Sequence, residues 1–152
     1  MRYLRTSAAV VLSIVLQAAL CAHDQQALLS PPQAAIPADF FGMHFHHLGG
    51  TTAWPSVPVA QWRLWDAYVA WPNLEPVKNQ WHFETLDAYI GLAQAHHVGL
   101  LLPLGLSPTW ASARPQEKST YKPGFAAEPR DIEDWRNYVR TDVRHCSGRI
   151  QA

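Results

Sequence analysis

The sequence predicts an α/β fold wound from strand–loop–helix units around a parallel sheet, and three observations predict it. Phe41, Met43 and Phe45 alternate with Gly42, His44 and His46, which is the period of a strand. Apolar residues at Leu86, Tyr89, Ile90, Ala93 and His97 recur at helical spacing. After that helix, Leu100 to Leu106 is apolar on every position except Gly105, as a parallel strand covered on both faces should be.

The elements follow in order. Arg2 and Arg5 precede an apolar run from Ala8 to Leu20 and a small-residue exit at Cys21-Ala22, so residues 1–22 read as an export signal rather than a membrane span. The expected location is the periplasm or the medium. Once the signal is removed Cys146 is the one remaining thiol, and no internal disulfide is expected. Residues 23–37, with Pro31, Pro32 and Pro37, read as a linker into a domain over 38–152. Strand one covers about residues 40–47. The segment from Gly49 to Pro58 holds too many helix breakers for the helix that would normally follow.

A second strand is read over Gln61–Asp66, with Trp62 and Leu64 on one face and Arg63 and Trp65 on the other. Pro72 and Pro76 then predict an irregular loop over 71–76. A helix is placed at about 85–97, with Gly99 turning the chain out of it, and a third strand over 100–106. The proline-rich stretch from Ser107 to Arg130 is too long for a plain connector, and long loops in compact folds tend to carry function. Asp131 is the expected cap of a last helix with an apolar stripe at Ile132, Trp135, Tyr138, Val139 and Val143, closed by Ser147-Gly148. Arg149–Ala152 reads as the opening of another strand. The order is therefore that of about three and a half βα units, the amino-terminal part of a (β/α)8 barrel, which typically needs about 250 residues. On this reading the chain is a fragment.

Composition narrows the function. Formal net charge is zero, and 48% of the residues are apolar. Nucleic acid is excluded as an expected partner, because tracking phosphates requires a basic face. Seven tryptophans and twelve prolines in 152 residues fit a packed core together with the stacking platforms that carbohydrate sites use. No Gly-rich phosphate loop, serine nucleophile elbow or C-x-x-C pair is present.

The candidate site residues are His44, His46, Arg63, Trp65, Asp66, Trp71 and Trp110. His44 and His46 on one strand place two imidazoles on one face, about 7 Å apart at Cα. They read as polar lining of a barrel mouth. The alternative is a metal pair, with His47 close by, of the kind that opens the barrel of metal-dependent amidohydrolases. Such a site needs further ligands that no other motif here supplies, so no metal or cofactor is expected. Arg63 lies in an otherwise apolar strand and should be paired, either orienting a carboxylate or in a structural ion pair with Asp66 or Glu75. Glu75, between Leu74 and Pro76, is expected to satisfy backbone donors. Trp65, Trp71 and Trp110 fall at the ends of strands or in the loops beyond them, where they are candidate walls for a sugar; Trp54 and Trp81 read as packing.

Three motifs in sequence carry a family likeness. Trp71-Pro-Asn-Leu-Glu75-Pro76, with Trp81-His-Phe83 and Leu86-Asp87, resembles the second βα unit of clan A glycoside hydrolases. Leu104-Gly-Leu-Ser-Pro108-Thr-Trp110-Ala-Ser112 looks like the third-strand segment of glycoside hydrolase family 39, and Asp134-Trp135-Arg-Asn-Tyr138-Val139 is similar to the helix leading into that family's fourth strand. The resemblance covers about residues 38–152. It implies retaining hydrolysis of O-glycosidic bonds in oligosaccharides or polysaccharides by two glutamates about 5–5.5 Å apart. One would belong to an Asn-Glu pair ending the fourth strand and the other would end the seventh; neither is among these residues, so the fragment alone is expected to be inactive. Arg63 matches the clan's second-strand arginine, which braces the nucleophile. The absent first helix departs from the pattern. A non-catalytic exported carbohydrate-binding protein is the other function class this sequence allows.

Overall fold

The computed structural model describes residues 34–46, 48 and 50–150; the expected export signal and His47 lie outside them. The chain divides into two units, Met1–Ile36 and Pro37–Ala152, and the second carries every element named here. After a 3-10 turn at Ala38–Phe40 come β1 (Gly42–His44), β2 (Gln61–Arg63), α1 (Trp71–Leu74), α2 (Glu84–Ala95), β3 (Gly99–Leu101) and α3 (Ile132–Cys146). The three strands form a parallel sheet in the order β1-β2-β3, with Met43, Trp62 and Leu100 in one cross-strand row and His44, Arg63 and Leu101 in the next. Parallel strands in sequence order, alternating with helices, are what stacked βα units produce.

The strands are shorter than the sequence suggests. Around β1, Phe41 and Met43 are exposed, because no helix among the described residues follows β1 to cover them. Trp54 from the connecting loop covers Phe45 and β2 instead. It packs edge-on against Trp62 and stacks flat on His96 at 3.8 Å between centroids. The expected third strand over 100–106 ends at Leu101: Pro103 has no N–H for a ladder, and Leu106 takes a left-handed backbone with φ 61°.

One turn of helix replaces the expected loop at 71–76. Pro72 sits in the first turn, where its missing N–H is no loss, and Pro76 follows directly on the cap residue Glu75. α2 buries Leu86, Ile90 and Ala93 as its spacing requires. His97, not Gly99, makes the exit, at φ 55°, and Gly99 is the first residue of β3. α3 is capped by Asp131, whose side chain accepts from the Glu133 amide at 2.9 Å. Its buried face differs from the expected stripe. Ile132 and Val143 are exposed, and the core side carries Tyr138, Asp142 and Cys146, four residues apart. Arg149 and Ile150 are not in a strand.

Two aromatic groups build the core. Phe45, Trp54 and Tyr89 surround Trp62. Trp110, Trp135 and Tyr138 surround Trp71, which is fully buried and stacks on Tyr138 at 5.1 Å. Beside Trp71 in the second group lies Glu75, 1% exposed. One carboxylate oxygen accepts from the Asn79 amide at 2.7 Å, a backbone donor of the kind expected, and the other from the side-chain Nε1 of Trp71 at 2.7 Å, which the sequence does not lead one to expect. Its backbone carbonyl takes the Trp110 indole N–H at 3.0 Å. At the far end of α3, His145 Nε2 and Arg149 Nη1 converge on Asp87 Oδ1 of α2 at 2.8 and 2.7 Å, and Phe83 stacks on His145.

Removing the Glu75 carboxylate strands the buried Trp71 indole N–H and takes the partner from the part-buried Asn79 amide. Glu75→Ala should therefore cost about 3 kcal/mol in urea unfolding, and Glu75→Gln, which keeps one acceptor, less. Asp142 works against the fold at neutral pH. Burial pushes its carboxyl up to about 6, against the weaker opposing effects of His145 and the Cys146 thiol. Its Oδ2 has no hydrogen-bond partner, and its Oδ1 meets only that thiol, at 3.8 Å. A raised carboxyl favours the fold while protonated, so stability should fall as pH rises from the ordinary 3.8 through about 6. Asp142→Asn should abolish that fall and stabilise the protein at pH 7.5 by about 3 kcal/mol.

Candidate functional site

In α/β sheets, ligands bind beyond the carboxyl ends of the strands. A cleft of about 640 Å³ lies there, within the range of small-molecule sites. Its walls come from four places: His46 beyond β1, the segment after β2, the segment after β3, and Thr120, Tyr121, Lys122 and Phe125 of the long loop.

The segment after β2 owes its shape to a change of parity. Trp62 and Leu64 are buried on even positions, whereas Ala67, Val69 and Trp71 are buried on odd ones. An extended strand cannot make that change. Asp66 makes it, with a left-handed backbone at φ 52°. Two consecutive side chains, Trp65 and Asp66, are thereby left exposed, and both line the cleft. Trp65 is 42% exposed, and the Arg63 guanidinium lies over its ring at 4.7 Å.

On β1 and just beyond it, His44 Nε2 and His46 Nε2 are 3.0 Å apart, so one imidazole donates to the other. His46 lines the cleft. Partial burial, the neighbouring His46 and the Arg63 charge hold the His44 imidazole below 6.5, and the Asp66 carboxylate opposes them. Among the described residues no three His, Cys, Asp or Glu side chains gather as a metal would need.

The long loop is folded back by two buried hydroxyls. Ser107 Oγ donates to the Ala127 carbonyl at 2.8 Å and Ser112 Oγ to the Gly124 carbonyl at 2.7 Å. Gly124 stands at φ 81°, where an added Cβ would lie 2.7 Å from Pro115 Cα; only glycine fits. This fold sets Tyr121, Lys122 and Phe125 on the cleft.

The seven sequence-derived site residues therefore separate. His46, Trp65 and Asp66 line the cleft, and His44 and Arg63 stand directly behind them. Arg63 is exposed rather than buried, so the expected need for a charge partner does not arise. Trp71 is not a sugar wall but the centre of the core, because the parity change at Asp66 turns it inward. Trp110 is half-buried against Trp71, with its N–H on Glu75 and Lys78 over its ring, and does not line the cleft. The cleft also takes Tyr68, Asn73, Tyr121 and Lys122, which sequence reasoning passed over. The long loop was a signal for Tyr121 and Lys122; nothing local marked Tyr68.

No protein-family model matches the chain, and no curated protein matches it. Among the described residues no helix is long and apolar enough to cross a membrane.

Asp66→Asn removes the one influence raising the His44 imidazole. In an NMR titration His44 should titrate below 6.5 in the native protein and lower still in the variant.

Proposed function

We propose that this chain is the amino-terminal part of an exported (β/α)8-barrel glycoside hydrolase of the retaining type, and that the cleft is part of its saccharide site. The observation that carries the reading is the pairing of an exposed indole, Trp65, with a carboxylate, Asp66, beyond the carboxyl end of β2. A pyranose presents an apolar C–H face that stacks on an indole and hydroxyls that bond to a carboxylate or imidazole. The three motifs resembling clan A enzymes, and sequential parallel strands alternating with helices, support the same reading.

In this reading His46 and Asp66 hydrogen-bond sugar hydroxyls and Trp65 forms the wall of a subsite. Arg63, stacked on that wall, keeps a positive charge beside the position from which a nucleophilic carboxylate would act. Asp66 is the one described carboxylate at the cleft, and Glu75 is consumed by Trp71 and Asn79. Retaining hydrolysis needs two carboxyl groups about 5–5.5 Å apart, so the pair must come from outside the described residues.

The purified protein should bind β-linked hexasaccharides of glucose, xylose or mannose saturably in calorimetry, and Trp65→Ala should weaken that binding about tenfold. It should not release nitrophenol from aryl glycosides. Absence of any saccharide binding would sink the proposal, and turnover by these residues alone would refute the two-glutamate mechanism.

A further inference from the structure

Five non-glycine residues among the described ones have a left-handed backbone: Asp66, Tyr68, Asn79, His97 and Leu106. Asn tolerates that region, and His97 ends a helix, where it is common. The other three all line the one cleft. Of these, Tyr68 is the hardest to explain by folding. Its φ is 57°, a region where a bulky side chain is strained and glycine is free. The residue is 69% exposed, so burial gives little return for the strain. Ala67 and Val69 on either side are buried, and the turn needs only their small apolar side chains inward. Neither backbone nor packing selects tyrosine at this position.

Across the chain, Tyr121 reaches the same cleft from the long loop and is 44% exposed. Its turn is fixed locally: Ser119 Oγ donates to the Lys122 carbonyl at 2.7 Å and accepts from the Tyr121 amide at 3.2 Å. With Trp65, three exposed aromatic rings from two separate segments line one cleft. Strain held in place at a ligand cleft is where functional side chains are positioned.

We infer that Tyr68 is a specificity-determining residue, kept in a strained conformation so that its ring stacks on a neutral pyranoside, with Tyr121 supplying a second aromatic wall. This rests on the reading of the cleft as a saccharide site and adds the class of sugar face it selects: one with an unbroken apolar C–H surface. Two rings on different segments favour a chain of sugars over a single one.

The test compares Tyr68→Asn, Tyr68→Gly and Tyr68→Phe in the same protein, reading both Tm and calorimetric affinity for the hexasaccharides of glucose, xylose and mannose. Asn and Gly relieve or tolerate the backbone while removing the ring. Both variants should melt no lower than the native protein yet bind about tenfold more weakly, and Tyr68→Phe should keep affinity within about twofold. Native affinity in the Asn and Gly variants would overturn the inference while leaving the saccharide site standing. A lower Tm in both would assign Tyr68 to packing and overturn it equally. If the native protein binds none of the three sugars, the site reading falls and this inference with it.

Discussion

The interaction on which the rest of this structure depends is the buried pair of Trp71 and Glu75. A carboxylate at 1% exposure must find donors inside the protein, and the indole N–H of Trp71 and the Asn79 amide supply them. The same residue's carbonyl holds Trp110, so a single turn of helix ties the start of α2's approach, the long loop and, through the Trp71–Tyr138 stack, α3. The polar contacts fix where Trp71 sits; the aromatic contacts then convert that position into apolar burial. An apolar residue in place of Glu75 would leave the indole free to slide, and three segments would lose a common reference.

That anchor also explains the cleft. Between β2 and Trp71 the chain must move its buried side chains from even to odd positions, and it does so at Asp66 in a left-handed conformation, with Tyr68 left-handed just beyond. A regular strand would have carried Trp71 to solvent and Asp66 into the core. The strain is local, it lies where a ligand would bind, and the packing of Ala67, Val69 and Trp71 holds it in place. Core formation and site formation are thus the same event in this segment.

α3 shows the opposite balance. Its inward face carries Asp142, Tyr138 and Cys146, and both the Asp142 Oδ2 and the Tyr138 hydroxyl lack partners. Burial drives the Cys146 thiol up to about 11, which leaves it a small inert filler. The helix is held instead by Trp135 and Tyr138 against Trp71 and by the Asp87–His145–Arg149 contact at its far end. Polar atoms left unsatisfied between those two clamps cost the core stability there.

The sequence by itself determined the class of fold, because periodicity reports which side chains share a face. Trp62 with Leu64, Leu86 with Ile90 and Ala93, and the Asp131 cap all stand where spacing and local chemistry put them. It also pointed to a backbone donor for Glu75, which the Asn79 amide supplies, but not to the Trp71 indole. Only the tertiary structure decided which tryptophans face inward. Trp65, Trp71 and Trp110 look alike in sequence, yet a dihedral change at Asp66 leaves the first at the cleft and turns the second into the core, and contact with the second then claims the third. The α3 stripe slipped for a related reason: hydrophobicity nominated Ile132 and Val143, whereas the direction set by Trp71 put Asp142 inside. Periodicity assumes a regular backbone, and the residues that form this site are the ones that break it.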